Sequence, residues 1–161
     1  MKRLDILDLP ENVRDLIREC EAQGQQTFFE RNGRPVAALV SYDEYLALRE
    51  TIEIANDSLL FARISEADEE TPVEADRRLT RLRITRAGQE GLDALAGIER
   101  RLVLSSIVRI NDNPIAGAPL FEPLKGLWSH RTGEIRIIYK IVAEASIVVI
   151  LSITRARDPL S

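Results

Sequence analysis

Alternation of apolar and polar residues in the second half of the chain predicts a three-stranded antiparallel sheet. Residues 127–131 and 134–142 flank Thr132-Gly133, the spacing of a two-residue β-hairpin. Because side chains alternate along a strand, pairing Arg131 with Glu134 sorts the hairpin into two faces. The apolar face carries Trp128, His130, Ile135, Ile137, Tyr139 and Ile141. The opposite face carries Ser129, Arg131, Arg136 and Lys140.

Residues 146–154 follow a second turn and are apolar on both faces, a pattern that favours a central strand. On the simplest register, Arg155 and Arg157 fall on the same face as Arg136. A β-bulge would alter this assignment, because a slip of one residue moves every side chain to the opposite face. We therefore expect a sheet with one apolar face and one face lined by arginines.

The first part of the chain has a helical pattern followed by a hairpin pattern. Residues 3–8 are a candidate strand, and Pro10 suits the first turn of a helix that ends near Gly24. The buried stripe of this helix repeats at helical spacing through Val13, Leu16, Ile17 and Cys20. Asn32-Gly33 then separates two apolar segments, which is a strong signal for a β-hairpin.

Two helices are predicted after this hairpin. Ser41 and Glu44 form a capping box at the start of the first helix, which breaks at Asn56-Asp57. The second helix has an apolar stripe among acidic residues, consisting of Leu59, Leu60, Phe61 and Ile64. Such a stripe is too large for an isolated surface helix, so we expect it to pack against another part of the protein.

The order of these elements, with residues 28–48 reading FFERNGRPVAALVSYDEYLAL, resembles the Phd/YefM family of antitoxins. The resemblance covers about residues 1–70. It implies a small β-α-β-β-α unit that dimerises and binds operator DNA, followed by a helical segment that neutralises a toxin. The basic residues that would contact DNA are Lys2, Arg3, Arg14, Arg18, Arg31 and Arg34. The residues that would bind the toxin are Leu59, Leu60, Phe61 and Ile64.

The later elements follow the order β-α-α-β-β-β. This order, together with the segments LKG, RTGEIRIIY and IVVILSITRAR, resembles the RelE/ParE superfamily of toxins. An antitoxin-like unit followed by a toxin-like unit indicates a fused toxin–antitoxin pair with an α+β fold. We expect a DNA-binding and dimerisation domain at residues 1–55, a toxin-neutralising acidic helix and linker at 56–76, and a toxin domain at 77–161.

The resemblance also implies a chemistry for the arginine face. RelE-type toxins cut messenger RNA on the ribosome by attack of a 2′-hydroxyl on the neighbouring phosphate, without a metal or cofactor. The reaction requires a base, an acid and cations that stabilise the charge developing on the phosphate. The cations would be Arg131, Arg136, Arg155 and Arg157, since guanidinium groups bind phosphate oxygens bidentately.

Two features of the family pattern are missing, and both concern proton transfer. Leu127 and Ser129 stand where well-characterised RelE members carry lysines, and the terminal tyrosine of the family is absent. Arginine transfers protons poorly because it hardly deprotonates. The only histidine, His130, falls on the apolar face and is expected to have a structural role.

Charge is divided unevenly along the chain. Residues 1–76 contain 8 Lys+Arg and 18 Asp+Glu, a net charge of −10, whereas residues 77–161 contain 14 and 8, a net charge of +6. This asymmetry favours a polyanionic partner for the second half and docking of the acidic helix onto it, either within one chain or onto the second half of another chain in a dimer. The single cysteine, the lack of a signal-peptide pattern and the lack of a long apolar run predict a cytoplasmic protein without membrane contact.

Three functions are consistent with these patterns. The first is a toxin–antitoxin fusion whose RelE-like domain is a ribosome-dependent endoribonuclease, regulated through operator DNA and present as a homodimer. The second is a transcriptional regulator with a catalytically degenerate toxin-like domain. The third is a ParE-like toxin directed at gyrase, in which the sheet residues need not be catalytic.

Overall fold

The chain forms an α+β protein with two units, Met1–Leu46 and Ala47–Ser161. The computed structural model describes residues 3–74 and 81–156. The boundary between the two units falls inside a helix, before the end of the 1–55 region expected from the sequence. Within the described residues, no helix combines the length and the hydropathy that crossing a bilayer requires.

The first unit consists of a helix, a hairpin and the start of a second helix. These are α1 (Glu11–Gln23), β1 (Thr27–Arg31), β2 (Arg34–Leu39) and the first residues of α2 (Tyr42–Asn56). The predicted hairpin and both predicted helices are confirmed. The predicted strand at residues 3–8 is wrong, because the Asp5 carboxylate accepts the backbone N–H of Leu7 and fixes a 3-10 turn there.

Turn and capping residues explain the boundaries of these elements. Gly24 has φ 64° and ends α1 in the left-handed conformation that glycine adopts without strain. Asn32 and Gly33 have φ 54° and 72°, the positive values that a tight hairpin turn requires. The Ser41 hydroxyl accepts the backbone N–H of Glu44 at 3.1 Å, as the capping box predicts.

Over its described residues, the second unit contains the rest of α2, three further α-helices and six strands. The helices are α3 (Ser58–Glu69), α4 (Arg86–Asp93) and α5 (Gly97–Asp112). The strands are β3 (Val73–Glu74), β4 (Leu82–Ile84), β5 (Ala118–Pro119), β6 (Leu127–Thr132), β7 (Ile135–Val142) and β8 (Ile147–Arg155). The sheet has the order β3-β4-β8-β7-β6-β5, with β4 and β8 parallel and the other pairs antiparallel. The predicted central position of β8 is therefore confirmed.

The β6–β7 hairpin has the predicted faces but a different register. Arg131 pairs with Arg136, not with Glu134, and the two turn residues are Gly133 and Glu134. The register differs from the prediction by two residues. Since side chains repeat every two residues, the faces are unchanged.

The predicted position of Arg155 is wrong because of a β-bulge. The β7–β8 register shifts between Ile138 and Tyr139, so Arg136 pairs with Thr154 and Ile135 pairs with Arg155. Arg155 consequently lies on the face opposite Arg136. Arg157, which was expected beside it, lies outside the described residues.

Helices cover both faces of the central sheet. On one face, α4 and α5 pack against strand residues that include Ile137, Tyr139 and Ile150. On the other face, α2 and α3 contribute to a second core with Ile138 and Leu151. The surface expected to be an arginine-lined face is therefore partly apolar and is covered by two helices from earlier in the chain.

Candidate functional site

The structure brings together two of the four arginines predicted to bind phosphate. Arg131 and Arg136 are cross-strand partners on β6 and β7 and project from the same face of the sheet. The Arg136 side chain is only 3% exposed, and the Arg131 side chain is 28% exposed. Like charges directly opposite each other destabilise a sheet, so this pair requires an anion.

Glu50 and Glu53, which lie one turn apart on α2, supply that anion. Glu50 accepts hydrogen bonds from Nε of Arg136, from the Ser129 hydroxyl at 2.7 Å, and from Nε of Arg131 at 2.8 Å. Arg131 Nη2 lies 2.7 Å from Glu50 Oε2 and 2.8 Å from Glu53 Oε2. We call this arrangement of two glutamates and two arginines the carboxylate clamp.

A further contact of the carboxylate clamp is an ion pair and not a hydrogen bond. Arg136 Nη2 lies 3.0 Å from Glu53 Oε2, but this buried nitrogen has no hydrogen-bond acceptor. Glu53 consequently holds Arg136 less tightly than Glu50 does.

Burial and hydrogen-bonded charges shift the pKa values of the carboxylate clamp in opposite directions. Burial alone would raise the pKa of Glu50, but hydrogen bonds from Arg136, Arg131 and Ser129 outweigh it, and the pKa lies below its usual value. Burial alone would lower the pKa of Arg131, but Glu50 and Glu53 raise it. Both groups are therefore held in their charged forms at neutral pH.

Helix α3 is held against the same face of the sheet by apolar contacts. Leu60, Ile64 and Ala67 are buried in one core with Ile138 and Leu151. Their spacing of four and three residues places them on one side of the helix. At the C-terminal end of α3, Lys140 of β7 donates to the Asp68 carboxylate at 2.6 Å.

The predicted anchor residues of α3 differ in their positions. Leu60 and Ile64 are buried, and Phe61 packs at the edge of the core. Leu59 is 79% exposed because it lies on the outer side of the helix, so its expected role as a buried anchor is wrong. Ala67 was missed because a small side chain contributes little to a hydrophobic pattern.

Arg155 belongs to a different ion pair. Its guanidinium donates to both carboxylate oxygens of Glu99 on α5, at 2.7 and 2.8 Å. Arg155 also lines a cavity of about 530 Å³ together with Arg136, Glu53 and residues 56–59. It therefore lies near the carboxylate clamp without contributing to it.

Tyr139 and His130, two further side chains that can carry a proton, lie on the far face of the sheet. Tyr139 donates to the carbonyl of Pro114 at 2.7 Å and accepts the N–H of Gly117 at 3.0 Å. Trp128 stacks on Tyr139, with ring centroids 6.4 Å apart. His130 shares that face, and burial lowers its pKa. These side chains stabilise the fold and do not face the arginine pair.

The residues predicted to contact DNA belong to the first unit. Arg31 and Arg34 are cross-strand partners at the end of the β1–β2 hairpin. Arg18 forms an ion pair with Asp15 at 3.0 Å on α1, which also carries Arg14. Arg3 precedes the 3-10 turn, and Lys2 lies outside the described residues.

Sequence reasoning missed Glu50 and Glu53, although a signal for Glu50 was present. On α2, Glu50 occupies the buried stripe that also includes Ala47, Thr51 and Ile54. A carboxylate on a buried stripe requires a cation on the surface that it packs against. Over the residues that are described, no cluster of His, Cys, Asp and Glu could hold a metal ion.

Comparisons with protein-family models and with curated proteins give no match. Among solved structures, the chain is similar to the RelBE2 toxin–antitoxin complex of Mycobacterium tuberculosis, with 29% identity over 46% of this chain and 94% of that chain and a TM-score of 0.39. The intact Escherichia coli RelBE complex gives 15% identity, 48% and 96% coverage, and a TM-score of 0.43. The archaeal RelE–RelB complex from Pyrococcus horikoshii is similar with 20% identity over 47% of this chain and 92% of that chain and a TM-score of 0.40. Each similarity covers less than half of this chain.

Proposed function

We propose that this protein is a type II toxin–antitoxin fusion whose toxin-like part is kept inactive by an earlier segment of the same chain. The toxin-like part comprises β4 to β8 with α4 and α5, and the neutralising segment comprises the second-unit part of α2 together with α3. The first unit would bind operator DNA. The proposed activity of the exposed toxin-like part is ribosome-dependent cleavage of messenger RNA.

The observation that carries this proposal is the covering of the arginine pair by α2 and α3. Ile54, Leu60 and Ile64 enter a core with strand residues of the sheet, while Glu50 and Glu53 contact both arginines. Apolar burial supplies most of the docking free energy, and complementary charge sets the register. An acidic helical segment on a basic face is the arrangement expected of an inhibitor on its target.

The test compares full-length variants in a translating-ribosome assay. Leu60→Asp places a charge in the core beneath α3 and should detach that helix, whereas Leu59→Asp changes an exposed position of the same helix and serves as the matched control. We expect cleavage of ribosome-bound messenger RNA with Leu60→Asp and none with the wild type or the control. Circular dichroism would establish that each variant remains folded.

The role of Arg136 is tested in the activated background. In our proposal, Arg136 stabilises the charge that develops on the scissile phosphate, so Leu60→Asp/Arg136→Ala should lose about 100-fold or more of the cleavage rate. Folded Leu60→Asp protein without cleavage would contradict the nuclease proposal. If Leu60→Asp/Arg136→Ala cleaves as fast as Leu60→Asp, the proposed role of Arg136 is contradicted.

A transcriptional regulator with a degenerate toxin-like domain is the second candidate. The observation that favours it is the position of His130 and Tyr139 on the face opposite the arginine pair, where neither can transfer a proton at that site. Under this alternative, Leu60→Asp leaves ribosomes and growth unaffected while operator binding persists. Inhibition of gyrase supercoiling by Leu60→Asp would instead support a ParE-like toxin.

We also propose that the first unit dimerises. Cys20 is the only buried side chain among its described residues, whereas Phe28, Phe29 and Val36 of the hairpin are exposed. A unit with so little buried apolar surface requires a further partner for stability. Sedimentation of the full chain should give a dimer, and a monomer at micromolar concentration would contradict this proposal.

Operator binding is the remaining part of the proposal. The adjacent Arg31 and Arg34 at the hairpin tip suit contacts to phosphate groups, which make binding strongly salt-dependent. Arg31→Ala/Arg34→Ala should weaken binding of the full chain to DNA from its own promoter and lower the salt slope. Arg63→Ala, on α3, is the matched control. Equal DNA binding by wild type, Arg31→Ala/Arg34→Ala and Arg63→Ala would contradict the proposed DNA contacts of Arg31 and Arg34.

A further inference from the structure

We infer that Glu50 and Glu53 act as an intramolecular anion that occupies a binding site for RNA phosphate on β6 and β7. The site consists of Arg131, Arg136 and the hydroxyl of Ser129. The regulatory role of the two carboxylates rests on the proposed function. Their competition with RNA phosphate for the same donors is tested by binding alone.

The pairing of two arginines on adjacent strands favours an anion between them. Arg131 and Arg136 are direct cross-strand partners, and two like charges in this relation repel each other across a short distance. An anion between the two guanidinium groups relieves this repulsion. The repulsion arises from the pairing of β6 with β7 and does not depend on α2.

The hydrogen-bond donors around the two glutamates also match a phosphate group. Glu50 receives N–H groups from both arginines and the hydroxyl of Ser129, and Glu53 Oε2 lies between Nη2 of the two arginines. A phosphodiester presents non-bridging oxygens that accept the same kinds of donors, and guanidinium groups bind such oxygens bidentately. The carboxylate oxygens therefore stand in for phosphate oxygens.

The carboxylate clamp keeps charged residues at buried positions. Glu50 is 7% exposed, and the Arg136 side chain is 3% exposed. Well-packed apolar residues of similar volume commonly stabilise such positions as well as an ion pair does. Packing alone therefore gives no reason for this pair, whereas an anion site that must sometimes be closed gives one.

Binding of phosphate and formation of the carboxylate clamp are consequently mutually exclusive, because both use the same donors. We assign the external ligand to the backbone of single-stranded RNA. Detachment of α2 exposes two cations and a hydroxyl on a strand surface, a small site that suits a flexible polyanion. Among the two glutamates, Glu53 is the weaker closing group because its side chain is 25% exposed and lacks a hydrogen bond to Arg136.

The experiment measures binding of a non-cleavable 2′-O-methyl oligoribonucleotide of about eight nucleotides to the full-length protein. The comparison is made in the Leu60→Asp background, which loosens the helices that cover the site, and Glu50→Gln/Glu53→Gln then removes both negative charges. We expect about 10-fold or more tighter binding than with Leu60→Asp alone, with a steeper salt dependence. Addition of Arg136→Ala should abolish this gain.

Glu90→Gln/Glu144→Gln in the same background is the matched control, because it also removes two carboxylates, both of them exposed and outside the carboxylate clamp. It should leave RNA binding unchanged. An equal gain with this control would show that net charge alone controls binding, and would overturn the inference. A DNA oligonucleotide of the same length identifies binding through the first unit, and a gain seen only with DNA would also overturn it.

Folding and function can be separated in this design. If this variant fails to fold, Glu50→Gln alone in the same background decides, since Glu50 bonds to both arginines and to Ser129. No gain in a folded variant overturns the inference. A gain in binding without messenger RNA cleavage upholds the inference while contradicting the proposed nuclease activity.

Discussion

Replacing Glu50 with alanine should destabilise the protein by about 3–5 kcal/mol, because removal of one partner of a buried ion pair leaves the other charge uncompensated. Glu50 bonds to Arg131, Arg136 and Ser129, and the Arg136 guanidinium has little access to water. Glu53 remains as a partner at 3.0 Å, which places the expected cost near the lower end of that range. A loss of this size is a large fraction of a typical domain stability of about 5–15 kcal/mol.

Urea unfolding followed by circular dichroism would measure this loss, and a double-variant cycle would assign its cause. Glu50→Leu/Arg136→Leu removes both charges and should recover most of the lost stability, since an apolar pair can replace a buried ion pair. Glu53→Ala should cost less than Glu50→Ala because Glu53 is more exposed. If Glu50→Ala unfolded with the wild-type midpoint, Glu50 would not hold Arg136, and our account of the carboxylate clamp would be wrong.

Three further predictions concern other contacts of the second unit. Ile64→Ala should cost about 2–5 kcal/mol in urea unfolding because the side chain is 1% exposed, whereas Leu59→Ala should change stability by about 0.5 kcal/mol or less; equal effects would contradict the docking of α3. Gly91→Ala should lower the melting temperature although alanine favours helices, because the added Cβ would lie 2.1 Å from the carbonyl oxygen of Ile153. The pKa of Glu50 is lower in the folded state than its ordinary value of 4.5, so the Glu50 carboxylate stabilises the protein above pH 4.5 and loses this effect as the pH falls through the folded pKa. The urea midpoint of Glu50→Gln should therefore fall less between neutral and acidic pH than that of wild type. Parallel pH profiles of the two proteins would refute this prediction.

The sequence predicts most elements because local signals specify them. The Asn32-Gly33 turn and the capping box at Ser41 depend only on neighbouring residues, and both are found where expected. The faces of the β6–β7 hairpin were predicted correctly despite a wrong register, since an error of two residues preserves the side-chain alternation.

The arrangement around the arginine pair could not be predicted in the same way. A bulge between Ile138 and Tyr139 moves Arg155 to the opposite face, and no turn residue marks that bulge in the sequence. The partner of Arg136, Glu50, is 86 residues away along the chain. Periodicity assigns Glu50 to a buried stripe, but only the tertiary fold identifies the cation that it meets.

The order of the elements along the chain has a consequence for biosynthesis. Every strand of the six-stranded sheet follows α3, and β8, which lies between β4 and β7, is the last strand to be made. Chains leave the ribosome with their N-terminal part first. Glu50 and Glu53 are thus translated before Arg131 and Arg136, so α2 and α3 precede every strand that they cover. The helices α2 and α3 and the arginine pair belong to one chain, so they are always synthesised in a one-to-one ratio.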